Sequence, residues 1–240
     1  MNSIPVYMHR LKSLCQGRPE AAEWLDDGKW LGFCLAWLFG GLFLYGLAIG
    51  WWRAPLQGFY GAIKTPVLMA VTLSGTSLAN WMLASLLGAT LSYRQALLIQ
   101  LMGYMVLVTI LLSVVPLAFF LDGCAPSPSA KDAWTGYVAV SLFQVAAMAG
   151  AGLASHIRLF HLIVHVCRNR SVARWVLLVW MANNLFLGSH FSWYLRPFMG
   201  NPAKQVEFFH GKAWALGGFY SGLTGAVSRL GHSGVIHGKP

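Results

Sequence analysis

Residues 174–194 read RWVLLVWMANNLFLGSHFSWY, and the exit at 195–202 reads LRPFMGNP. The first stretch is almost wholly apolar and is bracketed by Arg174 and Trp175 at one end and by Trp193, Tyr194 and Arg196 at the other. That is the pattern of a membrane-spanning helix with interfacial aromatic and basic anchors. Within it, Asn183, Asn184 and His190 would be costly in hydrocarbon unless other helices satisfy them, so this helix implies a bundle around it.

The rest of the chain agrees. With 57% hydrophobic and 10% charged residues and a mean hydropathy of +0.57, it falls far from the roughly 25% charged fraction of a soluble domain. The expected class is all-α, a polytopic integral membrane bundle of about five transmembrane helices with interfacial helices beside them. The spans are expected at about 30–52, 66–88, 95–121, 134–155 and 174–194. A polar arm or interfacial helix covers 1–29, and an interfacial or partly disordered tail covers 196–240. The polar, acid-containing segment ahead of Trp30 argues against a cleaved signal peptide.

The formal charge of +10 does not point to nucleic acid. The bases lie between and beside apolar runs, where anionic headgroups are the nearer partner, and no basic stripe carries interleaved aromatics. Lipid headgroups and other membrane subunits are therefore the expected partners. By the positive-inside rule, the bases of the arm and of the second and fourth loops outnumber those of the opposite loops, which favours a cytoplasmic N-terminus.

Small residues recur every four positions at Gly32, Ala36 and Gly40 in the first span, followed by Gly46 and Gly50, and at Ala146, Gly150 and Ala154 in the fourth. Such faces let another helix approach closely. The 53–66 linker, RAPLQGFYGAIKTP, has Leu56, Phe59, Tyr60 and Ile63 at helical spacing and is expected to lie along the interface, with Arg53 and Lys64 reaching headgroups. In the second span Thr76, Ser77, Asn80, Ala84 and Gly88 share a small, polar face that should turn inward. Pro116 can kink the third span. In the fifth, Asn183 and His190 lie on one face.

Residues 156–174 are the most basic stretch and read as an amphipathic continuation on the inner leaflet. His161 and His165 are one turn apart, but two histidines without a nearby Cys, Asp or Glu make an incomplete metal site. Cys15, Cys34, Cys124 and Cys167 form no CxxC pair. No GxSxG elbow, HExxH helix or P-loop is present, and no acid or base stands near mid-membrane. No catalytic residue, metal or cofactor is expected.

The interfacial element at 55–66, the Tyr-Arg-Gln-Ala turn at 93–96 and the closing LRPFMGNP with Phe208 and Phe209 beyond it resemble a group of uncharacterised bacterial inner-membrane proteins ending in an LRPFxGxP stretch. The likeness covers about residues 50–210. The five-span layout is more distantly similar to the Yip1-like membrane proteins, which implies a cytoplasmic N-terminus. Neither resemblance carries catalytic residues. The expected function is an accessory or scaffold subunit of a larger bacterial inner-membrane assembly. The alternative is a small-solute channel or transporter built on Thr76, Asn80, Asn183 and His190.

Overall fold

A computed structural model describes residues 4–18, 24, 28–167 and 169–209. Those residues form six helices: α1 (Ile4–Cys15), α2 (Gly28–Trp51), α3 (Pro55–Leu86), α4 (Tyr93–Cys124), α5 (Ala133–Cys167) and α6 (Arg170–Leu195). The last five are long and apolar enough to cross a membrane. They run up and down, α2 beside α3 and α4, and α6 beside α3 and α5.

Local chemistry sets where the helices begin and stop. Ser92 caps α4 in a reciprocal pair with Gln95, the Gln95 amide donating to Ser92 Oγ at 3.2 Å and the Ser92 amide to Gln95 Oε1 at 3.1 Å. Asn169 caps α6 by accepting from the Ser171 and Val172 amides. α3 ends where Gly88 takes φ +84, and the Ala89 amide turns back to the Ala84 carbonyl at 3.0 Å.

α4 is the central helix. From Ala96 to Leu111 most of its residues are buried, and they pack against Leu38, Leu42 and Tyr45 of α2, Ile163 of α5 and Trp180 of α6. A helix apolar on every side needs neighbours on every side, and α4 touches α2, α3 and α5.

Two segments differ from the sequence expectation. Residues 55–66 are no separate interfacial element but the first turns of α3, with Pro66 inside the helix. At about 1.5 Å per residue, the 32 residues of α3 outrun a hydrocarbon core of about 30 Å, so its first turns reach the interface as a continuation of the span. Leu56, Phe59 and Ile63 do face outward there, whereas Lys64 is 1% exposed and is turned away from any headgroup. The basic 156–167 stretch likewise continues α5 without a break, and Leu159, Leu162 and Ile163 bury its apolar side against the bundle.

The N-terminal arm forms α1, whose Leu11, Ser13 and Leu14 are buried. Tyr7 stacks on Phe33 at 5.1 Å, and Arg10 lies over the rings of Tyr7, Trp24 and Trp30 at 6.0, 5.5 and 5.7 Å. Burial pushes the Cys15 thiol of this helix up from its ordinary value.

The closest helix approach is between α2 and α3. A Cβ added at Gly46 would overlap the Gly61 carbonyl, one at Gly61 the Gly46 carbonyl, and one at Gly50 the Gln57 carbonyl. The four-residue stripes lie elsewhere. Gly32, Ala36 and Gly40 of α2 and Ala146 and Gly150 of α5 are exposed, and Ala154 is half-buried. Among the described residues, nothing outside each glycine's own stretch of helix lies within 4 Å of a Cβ at Gly32, Gly40 or Gly150. α5 meets α4 instead through Ser155, whose hydroxyl donates to the Gly103 carbonyl.

Candidate functional site

Two polar constellations stand inside this frame. The first joins α3, α4 and α6 around Asn80, which is fully buried. Its Nδ2 donates to Gln100 Oε1 at 2.8 Å and to Asn184 Oδ1 at 3.0 Å. Its Oδ1 accepts from Asn183 Nδ2 at 2.8 Å. The Trp180 indole donates to the Asn80 backbone carbonyl at 2.7 Å, and Gln100 Nε2 turns back to the Ala96 carbonyl. Both amide hydrogens of Asn80 are thus engaged, and the cluster closes on itself.

Of the residues singled out from sequence, the structure brings Asn80 and Asn183 together. Thr76, equally buried, donates to the Thr72 carbonyl of its own helix at 2.8 Å. His190 lies nearer the end of α6, with Nδ1 at 2.9 Å from the Phe186 carbonyl and its ring against Phe186 at 4.7 Å. It is not a member of the amide cluster. Trp180 and Gln100 were not among the expected residues. Their signal was present in the same form as that of Asn80: a donor or acceptor in an apolar run, which hydrocarbon requires to be paired.

The second constellation is a clasp at the opposite end of α3, and it explains why α3 starts so early. Pro197 and Pro202 stop α6 and leave the 195–202 turn with carbonyls that no helix satisfies. Gln57 Nε2 donates to the Pro197 and Phe198 carbonyls at 3.1 and 2.8 Å, and Lys64 Nζ to the Pro197 carbonyl at 2.8 Å. Arg53 donates to the Asn201 and Lys204 carbonyls at 3.3 and 2.9 Å. From α5, Ser141 Oγ meets Met199 Sδ at 3.1 Å. Gly200 takes φ +81 where the turn presses on α3, and a Cβ there would stand 3.1 Å from Arg53 Cγ and 3.3 Å from Gln57 Cδ.

Beyond the turn, Phe208 sits edge-on to Tyr60 at 5.0 Å, and the Phe208 and Phe209 rings lie 4.8 and 5.4 Å from Lys64 Nζ. The Arg196 guanidinium covers the Trp193 ring at 3.4 Å. The tail as far as Phe209 is therefore folded onto α3. The remainder of the expected interfacial or partly disordered tail, residues 210–240, lies outside the described residues.

Among the described residues no group of three His, Cys, Asp or Glu side chains could hold a metal ion. His161 Nδ1 meets the Ile157 carbonyl of its own helix at 3.0 Å.

Compared with family models, curated proteins and solved structures, the chain shows no match. The class that the fold defines is a multi-pass helical membrane protein.

Proposed function

We propose that the chain is an accessory or scaffold subunit of a larger bacterial inner-membrane assembly, with no catalytic chemistry of its own. The observation that carries this reading is the outward placement of the small-residue stripes. Gly32, Ala36 and Gly40 on α2 and Ala146 and Gly150 on α5 make smooth helix faces that none of the described helices covers, and such faces suit a second membrane helix. The closure of the amide cluster supports the same reading. An ion or solute path through Asn80 needs hydrogen-bonding capacity to offer, and both of its amide hydrogens are already engaged within the bundle.

The test is co-purification in mild detergent followed by mass spectrometry. Gly40→Leu and Gly150→Leu should each release the partner without lowering the melting temperature of the isolated chain. A wild-type chain that runs as a lone monomer and, reconstituted alone, conducts a solute in a manner dependent on Asn80 or His190 would replace this reading with a channel or transporter.

In the proposed orientation the N-terminus is cytoplasmic. The end of the bundle that holds α1 carries Arg10, Lys12, Arg18, Lys29, Arg94, Arg158, Arg170 and Arg174, and no acidic side chain among the described residues. The other end carries Arg53, Lys64, Lys131, Arg196 and Lys204 together with Asp122, Asp132 and Glu207, so the excess of Lys and Arg favours the α1 end as the inner one. Cys124 is exposed at the outer end, Cys15 is half-buried against α4 and Cys34 is buried. A membrane-impermeant thiol reagent applied to intact cells should label Cys124 and spare Cys15 and Cys167; the reverse pattern inverts the topology.

A further inference from the structure

Lys64 has a role that the clasp alone does not explain. Its side chain is 1% exposed, and its ammonium makes one hydrogen bond, to the Pro197 carbonyl. Phe208 and Phe209 cover it, and no carboxylate among the described residues pairs with it. An ammonium has three donors, and a buried charge keeps a heavy desolvation cost unless an opposite charge stands close. Aromatic faces and a carbonyl offset part of that cost. Among the described residues no opposite charge completes the site.

The same side of α3 carries an apolar groove. At 100° per residue, Tyr60, Lys64, Val71 and Gly75 fall within about 60° of one another, and Val71 lies about 10 Å further along the helix than Lys64. Ala70, Val71, Ser74 and Gly75 with Phe191 of α6 line an open groove of about 480 Å³. Its floor is the point where Phe191 meets α3, 3.4 Å from where a Cβ of Gly75 would stand. Val71 is 41% exposed, so the groove opens toward the lipid. An apolar groove on the lipid-facing surface, on the helix face that also carries a buried cation with no counter-ion among the described residues, has the polarity of an anionic amphiphile.

We propose that the α3–α6 seam holds one anionic phospholipid, its acyl chain along Val71, Gly75 and Phe191 and its phosphate beside the Lys64 ammonium. Binding moves the Phe208 and Phe209 rings off Lys64 and supplies the missing charge through charge-assisted hydrogen bonds. Arg196 and Trp193, stacked at the end of α6, stand at the level of the headgroup. The site is independent of the outer faces of α2 and α5 and does not rest on the accessory-subunit reading.

The test is native mass spectrometry of the full chain in mild detergent, titrated with phosphatidylglycerol or phosphatidylcholine of identical acyl chains. The wild type should retain phosphatidylglycerol more tightly, because both lipids bring a phosphate to Lys64 but the choline cation of phosphatidylcholine offsets the attraction to a buried ammonium. Lys64→Gln should erase that preference and Lys64→Arg should keep it. Ser74→Trp, which fills the groove from an exposed position, should weaken retention of both lipids. Equal retention of the two lipids by the wild type overturns the proposal, as does an unchanged preference in Lys64→Gln. Should Lys64→Gln fail to fold, Ser74→Trp decides, because wild-type retention in that variant overturns the groove. Full displacement of phosphatidylglycerol by inorganic phosphate would assign Lys64 to a free anion and overturn the lipid.

Discussion

Asn80→Leu should destabilise the bundle by about 2 kcal/mol, more than any other polar-to-apolar change at membrane depth. The substitution strands Gln100 Oε1, Asn183 Nδ2 and Asn184 Oδ1 together, since all three lose their partner on Asn80. An unpaired buried polar group costs about 1–3 kcal/mol in a water-soluble core. Within membranes, single interhelical hydrogen bonds average only about 0.6 kcal/mol, because stranded groups find other partners. Three losses at the lower value give the stated sum.

Asn183→Leu removes one of these bonds and should cost about 0.6 kcal/mol. The double variant should lose less than the sum of the two, because the Asn80–Asn183 bond is counted in both single changes. Thr76→Val tests the contrast. Its hydroxyl donates to the Thr72 carbonyl, a group already in the helix ladder, so its effect should stay within about 0.5 kcal/mol. Reversible unfolding in mixed detergent micelles measures all four, and strict additivity of Asn80→Leu with Asn183→Leu would place those side chains apart.

The contrast between the two constellations shows what the sequence could convey. Asn80 and Asn183 stand out in apolar runs, and the requirement that buried amides be paired predicts that they face protein. Their exact partner was open, yet the meeting of the second and fifth spans was legible. The Lys64 clasp was not. Its acceptor lies 133 positions away on the tail, and nothing in the local pattern of 53–66 distinguishes a lysine that reaches a headgroup from one that reaches a carbonyl. Hydropathy also misplaced the start of α3 and the end of α5. Polar and basic side chains such as Gln57, Lys64, Arg158 and His161 end an apolar window without ending a helix, because the backbone remains hydrogen-bonded as the helix leaves the hydrocarbon.

Small residues were legible as helix-packing signals but not as to direction. Four-residue spacing marks a smooth face without saying what meets it. On α2, Gly40 and Gly46 are six residues apart and point about 120° away from each other around the helix. One faces outward and the other meets α3. Matching the glycines of both helices would have found the seam, since Gly46 and Gly50 have counterparts in Gly58 and Gly61 across a short turn.

That seam yields the largest expected effect of any single substitution. Replacing a helical glycine by alanine gains about 0.5–1 kcal/mol of helix propensity where space is open, so Gly40→Ala should stabilise the isolated chain slightly. At Gly46 the sign reverses. The new Cβ would overlap the Gly61 backbone carbonyl, and backbone cannot step aside as a side chain can, so α2 and α3 must separate along their closest contact. Overpacking of this kind costs about 1–3 kcal/mol for a methyl group, which exceeds the propensity gain, and Gly46→Ala should be a net loss. Gly46→Leu and Gly61→Leu enlarge the overlap and should cost more than about 3 kcal/mol, a large fraction of an ordinary stability of about 5–15 kcal/mol. Gly40→Leu, with nothing among the described residues outside its own stretch of helix within 4 Å of its Cβ, should be no less stable than the wild type, since leucine also exceeds glycine in helix propensity. Fluorescence-detected size-exclusion chromatography after graded heating separates these outcomes. Equal melting of Gly46→Leu and Gly40→Leu would show that α2 and α3 do not approach through their glycines, and the docking of the 195–202 turn on the first turns of α3 would lose the rigid hairpin on which it rests.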